Sequence, residues 1–335
     1  MNKVFIIAEA GVNHSGNIKT AQKLIDAAVE AGADAIKFQT FTAEDLVIKS
    51  AKTAEYQKRN TDGCRYQLSM LKKLELSPED FIRLKKYCDR KNILFLSTPH
   101  TERAFNFLDP LVPVHKISSG DLINIPFLKM VAKTYKPILL STGMATLAEV
   151  KSAVDTIIAA GNKKIVILHC TSNYPCPPEE VNLKAMETLR KVFGLSVGYS
   201  DHTIGIYVPV MAVAMGATVI EKHFTLDKKL KGPDHKASLD PKEFKEMVRI
   251  IRCAEKAFGT GIKKPTIGEK KIKNIVRKSI VANINIPKGT IITRDMLTFK
   301  RPGYGLAPSL ISNVIGKRTK RLIKKDSFVL KENLR

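Results

Sequence analysis

The pattern of an apolar strand, a polar turn and an amphipathic helix occurs eight times between Val4 and Phe258. The eight apolar segments are rich in β-branched residues and apolar on both faces, which is typical of strands buried in a parallel sheet. The predicted strands are Val4–Ala10, Ala35–Phe41, Ile93–Pro99, Val114–Gly120, Pro137–Gly143, Ile165–Thr171, Leu195–Asp201 and Thr218–Phe224. Because parallel strands need crossover connections, the repeat predicts an α/β fold.

Eight strand–helix units within about 255 residues fit a closed (β/α)8 TIM barrel. The predicted helices include Ile18–Ala31, Glu79–Lys91, Leu147–Ala159, Leu183–Phe193, Ile204–Met215 and Pro241–Phe258. An open, doubly wound sheet is the alternative fold. It is disfavoured because the Gly-x-Gly-x-x-Gly turn, which such folds carry after the first strand, is missing.

Three other segments complete the predicted organisation of the chain. Residues Thr42–Ser77 are too long for a simple strand–helix connection, so we expect either a lid or a layer packed under the barrel. Residues 259–277 are rich in Lys and Gly and are predicted to be a linker. Residues 278–335 are then a small second domain with little core of its own, and residues 1–258 are the barrel domain.

Polar side chains lie at the ends of all eight predicted strands. They are Glu9, Lys37, Gln39, Ser97, Thr98, Lys116, Ser119, Ser141, Thr142, His169, Thr171, Ser200, His202, Glu221 and His223. Catalytic residues of TIM barrels lie at the carboxyl ends of the strands. The sequence therefore predicts a polar active-site mouth at one end of the barrel.

His202 and His223 end two consecutive predicted strands, so parallel pairing should place them side by side. Two neutral imidazoles can bind a divalent cation and leave positions open for substrate oxygen. The spacing is not that of a zinc finger, and no third protein ligand is evident. This favours Mn or Mg over a structural zinc, although a histidine in a strand is more commonly a structural residue.

The five cysteines at positions 64, 88, 170, 176 and 253 are odd in number and form no C-x-x-C pair. This usage predicts a reduced, cytoplasmic protein. No apolar run reaches membrane-spanning length, and the N-terminus has no signal-peptide core, so no membrane association is expected.

The net charge of +24 raises the question of a nucleic-acid partner. From Gly259 onward there are 19 Lys and Arg residues against 4 Asp and Glu residues. That segment has few aromatic residues and no recognisable nucleic-acid module, so we expect no nucleic-acid partner and attribute the charge to solvated lysines and capture of an anionic substrate. The alternative, a basic RNA- or polyanion-binding protein, would bind polynucleotides with a steep salt dependence.

Ten motifs occur in order across nearly the whole chain: AEAGVNHSG at Ala8–Gly16, IKFQTF at Ile36–Phe41, then FLSTP, KISSGD, ILLSTGMAT, CTSNYP, GYSDHT, EKHFT, GPDHKAS and KRPGYG. Together they strongly resemble the sialic acid synthases, the N-acetylneuraminate synthase family. The resemblance implies a barrel followed by a small antifreeze-like (SAF) domain. It also implies condensation of phosphoenolpyruvate with an open-chain N-acetylmannosamine-type sugar, with release of phosphate, to give N-acetylneuraminate.

The resemblance also implies roles for individual residues. The phosphate and carboxylate of phosphoenolpyruvate require cations and hydroxyl donors, which would be Lys37, Lys116, Ser119, Ser141, Ser172 and Ser200. Residues matching sugar-contacting positions are Gln39, Tyr174, Asp234 and Arg301. His202 and His223 match the metal ligands, for Mn or Mg, and Glu9 and Asp121 are the candidate general bases. Without the resemblance, the lysines could be salt-bridge residues of the mouth and the serines could be helix caps.

In the family the small domain reaches across a dimer so that its arginine completes the partner's site, which implies a domain-swapped homodimer. Two other sugars stay open. One is a 2,4-diacetamido-trideoxy sugar, giving legionaminic acid, and the other is a sugar 6-phosphate, giving the 9-phosphate. Three departures from the family pattern, Asp121, His100 and Cys176, bear on which sugar fits. The sequence does not decide the sugar, the metal or the general base.

Overall fold

The computed structural model describes residues 3–61 and 63–335, which form two compact units, Met1–Gly259 and Thr260–Arg335. In the first unit all eight strands are parallel and follow the order β3-β2-β1-β8-β7-β6-β5-β4, with β4 lying beside β3. The strands are β1 Phe5–Gly11, β2 Ala35–Thr40, β3 Leu94–Pro99, β4 His115–Ile117, β5 Ile138–Ser141, β6 Ile165–Cys170, β7 Ser196–Asp201 and β8 Val219–His223. This nearly closed ring confirms the predicted barrel and excludes the open sheet.

Eleven α-helices are described in this unit. They are α1 Ile18–Ala31, α2 Ala43–Leu46, α3 Glu55–Asn60, α4 Gln67–Lys72, α5 Pro78–Arg90, α6 Glu102–Leu108, α7 Ile125–Ala132, α8 Leu147–Ala159, α9 Ala185–Phe193, α10 Tyr207–Ala214 and α11 Pro241–Ala257. Local sequence sets many of their ends. The Asn17 side chain accepts hydrogen bonds at the start of α1, and Gly32 ends it with a φ of 81°. Thr146 and Glu149 form a capping box at the start of α8.

The strand register fixes which residues share a level at the barrel mouth. Glu9 on β1 lies opposite Lys37 on β2 and opposite His223 on β8. Ser200 on β7 lies opposite Glu221 on β8. Because side chains alternate along a strand, this register directs Glu221 and His223 to one side of β8 and the residue between them to the other.

The insertion Thr42–Ser77 carries the three short helices α2, α3 and α4. Its Met70 and Leu74 form a buried apolar cluster with Val12 and Phe41, which follow β1 and β2. Because those strand ends lie at the mouth, the insertion packs over the mouth. Of the two predicted arrangements, the structure therefore has the lid.

The second unit contains the helix α12, Ile267–Val276, inside the segment predicted to be a linker. Thr266 and Glu269 form a capping box that starts this helix, a signal that the Lys- and Gly-rich composition obscured. Two antiparallel strands follow, β9 Ser279–Ala282 and β10 Leu297–Lys300. The core of this unit is one small cluster of buried aliphatic side chains. Among residues 3–61 and 63–335, no helix has the length and apolarity needed to cross a membrane.

Candidate active site

A cavity of about 670 Å³ opens at the carboxyl ends of the barrel strands. Thirteen predicted site residues line it: Glu9, Lys37, Gln39, Lys116, Ser119, Asp121, Ser141, Ser172, Tyr174, Ser200, His202, His223 and Asp234. Their sequence positions span most of the barrel, so the fold brings them together as the polar strand ends suggested. Arg301 belongs to the second unit, where its side chain is exposed, and its role stays a prediction.

Two lysines and two glutamates form a buried ionic cluster in this cavity. The Lys37 ammonium lies 2.6 Å from Glu9 Oε2 and 3.7 Å from Glu221 Oε2. The Lys116 ammonium lies 3.2 Å from Glu221 Oε1. All four side chains are at most 6% exposed, so their charges interact with little screening by water.

The two carboxylates of this cluster differ in acidity. Burial and the charge of Glu221 raise the pKa of Glu9 to about 7, against the opposing effect of Lys37. Burial would also raise the pKa of Glu221, but Lys116 and Lys37 together lower it to about 2. Glu221 is therefore ionised at neutral pH, whereas Glu9 can gain or lose a proton there.

Sequence reasoning named Glu221 only as a polar strand end and gave it no role. In the structure it orients three predicted residues, because it pairs with both lysines and accepts a hydrogen bond of 3.0 Å from Ser200 Oγ. Thr98 was likewise given no role, and its Oγ1 accepts a 3.0 Å hydrogen bond from Lys37. Their position at strand ends was the signal that could have identified both.

Three serine hydroxyls form a second feature of the cavity. A Cβ placed on Gly143 would lie 2.2 Å from Ser172 Oγ and 2.8 Å from Ser119 Oγ, so only glycine lets these hydroxyls approach each other here. The Gly143 N–H donates a 3.0 Å hydrogen bond to Ser119 Oγ. Ser141 Oγ is buried and has no hydrogen-bond partner among the described residues. A ligand with several acceptor oxygens would satisfy such a cradle.

The rings of His202 and His223 lie side by side, with their centroids 5.4 Å apart. His202 Nδ1 lies 2.6 Å from the Thr171 carbonyl oxygen, so Nδ1 carries a proton and Nε2 is the nitrogen that could bind a cation. Burial would lower the pKa of His202, but Cys170 and the Thr171 carbonyl raise it overall, so a cation at Nε2 would compete with a proton. The Tyr174 ring packs against both imidazoles, 4.0 Å from His202 and 5.5 Å from His223 between centroids. The hydrogen bond to Thr171 and the packing of Tyr174 therefore fix the His202 ring, and the same tyrosine packs against the His223 ring.

This pair suits a cation bound by two imidazoles. Within residues 3–61 and 63–335, His223 Nδ1 is buried without a hydrogen-bond partner. Burial together with nearby positive charge holds the pKa of His223 well below its usual range. A neutral imidazole is the form that binds metals. In the part of the chain that the structure describes, no group of three or more His, Cys, Asp or Glu side chains is arranged to hold an ion. The donor set fits a loosely held Mn or Mg rather than a closed zinc site.

Gly11 forms the meeting point of three predicted residues. A Cβ at this glycine would lie 3.3 Å from Gln39 Nε2, 3.3 Å from Glu9 Oε1 and 3.7 Å from Asp234 Oδ2. Gly11 also has a φ of 53°, so a side chain here would strain the backbone as well. Burial raises the pKa of Asp234 to about 6. This corner offers hydrogen-bond donors and acceptors to a polar substrate.

Asp121 lies at another wall of the cavity. It accepts a 2.6 Å hydrogen bond from Ser118 Oγ, and its Oδ2 lies 4.0 Å from His100 Nδ1. Burial raises the pKa of the Asp121 carboxyl above its ordinary value. Asp121 thus adds a further carboxyl to the cavity, besides those of Glu9, Glu221 and Asp234.

The lid contributes a wall that the sequence did not assign. Its Tyr56 ring stacks on Tyr174 at 5.3 Å between centroids. The lid and the strand end beneath it add apolar and amide side chains to the cavity lining: Val12, Leu46, Gln57, Gln67, Met70, Leu71 and Leu74. No pattern in the sequence predicted which face of these short helices turns toward the cavity.

Family models match both parts of the chain. The model of the NeuB family matches residues 24–263, and that of the SAF domain matches residues 277–335. This protein therefore belongs to the NeuB family and carries a C-terminal SAF domain. The resemblance expected from the ten motifs is confirmed.

Relatives match the chain over nearly its whole length. N,N'-diacetyllegionaminic acid synthase of Legionella pneumophila is 49% identical, over 98% of this chain and 94% of the relative. Human N-acetylneuraminate-9-phosphate synthase is 39% identical, over 98% of this chain and 92% of the relative. The solved N-acetylneuraminic acid (sialic acid) synthetase of Leptospira borgpetersenii superposes with a TM-score of 0.72 and 36% identity, covering 81% of this chain and 90% of that one.

Proposed function

We propose that this protein condenses phosphoenolpyruvate with an open-chain 2,4-diacetamido-trideoxymannose-type sugar, releasing phosphate and giving a legionaminic-type nonulosonic acid. The observation that carries the proposal is the cavity that combines two buried lysines, the hydroxyls of three serines and a pair of adjacent histidines. The similarity to a legionaminic acid synthase at 49% identity supports the same activity.

Phosphoenolpyruvate fits the lysine and serine side of the cavity. Its phosphate and carboxylate are anions that Lys37 and Lys116 would neutralise inside a buried site. The serine cradle beside Gly143 would supply hydroxyl hydrogen bonds to phosphate oxygens, including the otherwise unpartnered Ser141 Oγ. Glu221 would keep both lysines charged and aimed at the substrate, because its own pKa stays low.

The reaction forms one carbon–carbon bond, and at carbon 2 a carbon–oxygen bond to water replaces the one to phosphate. Of the two protons of the water, one ends on the former aldehyde oxygen, which becomes a hydroxyl, and the other leaves with phosphate as carbon 2 becomes a keto group. Carbon 3 of phosphoenolpyruvate adds to the aldehyde carbon of the sugar, water adds to carbon 2, and phosphate then leaves from carbon 2. His202 and His223 would hold Mn or Mg, which when bound polarises the aldehyde oxygen. Glu9 would take the proton of the attacking water, because a carboxyl with a pKa of about 7 is an effective base at neutral pH. Asp121 is the second carboxyl to test in that role.

The lid wall supports the choice of sugar. Among the described lining residues, Lys37 and Lys116 are the only lysines or arginines, and both are engaged with the glutamates. The methyl groups of a diacetamido 6-deoxy sugar match the apolar wall at Met70, Leu71 and Leu74, which would leave the phosphate of a sugar 6-phosphate against apolar side chains. This reverses the order of preference from the sequence, which placed N-acetylmannosamine first.

The assay that tests the proposal is phosphate release from phosphoenolpyruvate with Mn²⁺. The diacetamido sugar, N-acetylmannosamine and its 6-phosphate are offered in turn. We expect the highest kcat/KM with the diacetamido sugar and the lowest with the 6-phosphate. Preference for the 6-phosphate contradicts the proposed sugar, and no release with any of the three contradicts the proposed reaction.

We also propose a domain-swapped homodimer in which Arg301 of one subunit contacts the sugar in the site of the other. Arg301→Ala should then raise the sugar KM far more than the phosphoenolpyruvate KM. Mixing unfolded Lys116→Ala and Arg301→Ala subunits and refolding them together should restore activity, because one of the two sites in a mixed dimer carries neither change. Equal effects on both KM values, or a mixture as inactive as its parents, would contradict the swap.

A further inference from the structure

A second buried ionic network lies directly behind the two histidines, outside the cavity. Asp201 and Lys222 are opposite each other on β7 and β8, and both side chains are 0% exposed. Because side chains alternate along strands, they point away from the cavity, whereas His202 and His223 point into it. No substrate can touch this pair in the folded protein.

Asp201 accepts four hydrogen bonds from the surrounding chain. The Tyr199 hydroxyl donates to Oδ1 at 2.9 Å, and the Thr203 N–H donates to the same oxygen at 3.0 Å. Thr203 Oγ1 lies 3.1 Å from Oδ2, and the Lys222 ammonium donates to Oδ2 at 2.5 Å. The carboxylate therefore closes the backbone turn 201–203, at whose centre His202 lies.

Lys222 connects that turn to the neighbouring strand. Its ammonium donates both to Asp201 and to the Thr203 carbonyl, so it contacts the residues on each side of His202. Lys222 itself immediately precedes His223. The network thus joins the backbone positions of the two histidines through side chains that the cavity does not contain.

Stability alone is a weak reason for this arrangement. A fully buried ion pair stabilises a fold little compared with well-packed apolar residues of the same size. Its location has a more specific consequence, since residues behind metal ligands set the orientation of those ligands. All four members, at positions 199, 201, 203 and 222, lie within three residues of a histidine.

We propose that Asp201 and Lys222 are positioning residues that fix the separation and orientation of His202 and His223 for a shared divalent cation. This inference rests on the metal-binding part of the proposed function. Neither residue contacts substrate, so removing the pair should weaken cation binding and leave phosphoenolpyruvate binding in place.

The test compares cation binding, substrate binding and stability in four proteins. The double variant Asp201→Asn/Lys222→Met removes both charges together and so leaves no lone buried charge. Tyr199→Phe is a milder change that removes one hydrogen bond. Arg252→Met, in an ionic cluster at the opposite end of the barrel, is the matched control. The Mn²⁺ Kd is measured by electron paramagnetic resonance, the phosphoenolpyruvate Kd by calorimetry in EDTA, and the Tm by calorimetric scanning.

We expect the Mn²⁺ Kd to rise on the order of 10- to 100-fold in the double variant. A smaller rise, about three- to tenfold, is expected in Tyr199→Phe, which keeps the test decisive if the double variant does not fold. The phosphoenolpyruvate Kd should stay within about twofold in both, and Arg252→Met should lower the Tm without changing the Mn²⁺ Kd.

Unchanged Mn²⁺ affinity in Tyr199→Phe and in any folded double variant would show that the network is only structural and would overturn the inference. A wild-type protein that binds no Mn²⁺ would overturn it as well. Phosphate release by that same wild-type sample would still leave the proposed condensation standing, so the two failures are distinguishable.

Discussion

The two ends of the barrel hold their charged side chains differently, because the ionic cluster at the base is half-buried and the one at the mouth is buried. At the base, Arg252 pairs with Asp34 and Glu255 and donates to the Val4 carbonyl. The Asp34 carboxylate in turn accepts from the Ile6 N–H, and Glu255 accepts from the Val4 N–H. These bonds connect the first strand to the last helix of the barrel, and each of the three charged groups has a partner of opposite charge.

At the mouth, the buried polar groups are only partly satisfied by one another. In the described part of the chain, Ser141 Oγ and His223 Nδ1 have no hydrogen-bond partner, and Lys37 and Lys116 share the carboxylates of Glu9 and Glu221. A buried polar group without a partner costs stability unless something else binds it. The difference between the two ends indicates that the base is built for the fold and the mouth for a ligand.

The largest expected effect is a loss of activity caused by a substitution at the mouth. Lys116→Met removes a cation that the proposed mechanism places on phosphoenolpyruvate, so kcat/KM for that substrate should fall on the order of 10²- to 10³-fold. Steady-state phosphate release measures it, with the Tm as the control for folding. A loss below about fivefold would mean that Lys116 is a salt-bridge residue of the mouth.

The converse change at the base should affect stability alone. Arg252→Met leaves two carboxylates without their shared partner and should cost about 2 kcal/mol of unfolding free energy. For a chain of 335 residues that is a fall of about 3 °C in Tm. Steady-state kinetics at 25 °C should be unchanged. Loss of activity at full stability would contradict the assignment of the base to the fold.

The two ends should also respond oppositely to pH. Glu9, with a pKa raised from 4.5 to about 7, contributes stability in its protonated form that is complete below about pH 4.5 and is lost as the pH rises through 7. Burial would raise the pKa of Asp34 from 3.8, but bonds from Lys3, the Ile6 N–H and Arg252 lower it overall, so its contribution is present above 3.8 and is lost only as the pH falls through its lowered pKa.

Denaturant unfolding of wild type, Glu9→Gln and Asp34→Asn at several pH values tests this contrast. As the pH falls from 7 to 5, the free energy of unfolding of wild type should increase relative to that of Glu9→Gln. Its stability relative to Asp34→Asn should stay level over that range and decline only in more acidic solution. Parallel pH profiles for the two variants would remove the distinction between the ends.

The smallest effect concerns the lid. Tyr56→Ala removes the ring that stacks on Tyr174, an interaction of about 1 kcal/mol, so the sugar KM should rise roughly fivefold. The phosphoenolpyruvate KM should not change, because the ring lies against Tyr174 rather than against the lysines. An equal rise in both KM values would assign the lid to general closure of the mouth.

The same contrast shows what the sequence could predict. The eight strands and nine of the thirteen cavity residues followed from local patterns, since parallel strands of one barrel bring their carboxyl ends together whatever their separation in sequence. The other four, Asp121, Ser172, Tyr174 and Asp234, were expected only from the resemblance to the family. His202 and His223 were paired on that ground alone, 21 positions apart, and their rings lie beside each other in the structure.

The position of Glu221 at a strand end is visible in the sequence, but the roles that the sequence did not predict depend on contacts that no local pattern encodes. The role of Glu221 arises from two lysines on other strands, and the network of Asp201 and Lys222 arises from register between β7 and β8. Tyr56 reaches the cavity only through the packing of the lid on Val12 and Phe41. The helix α12 differs, because its capping box is a local signal for a helix start, whereas the Lys- and Gly-rich composition around it is typical of a linker.

The most direct test of the whole account is phosphate release by metal-free protein, measured with phosphoenolpyruvate and the diacetamido sugar before and after Mn²⁺ is restored. Wild type should release phosphate only with Mn²⁺ and the sugar present, and His202→Ala and His223→Ala should each lose that release to a similar extent. Release at the wild-type rate by EDTA-treated protein, or by either histidine variant, would contradict the account.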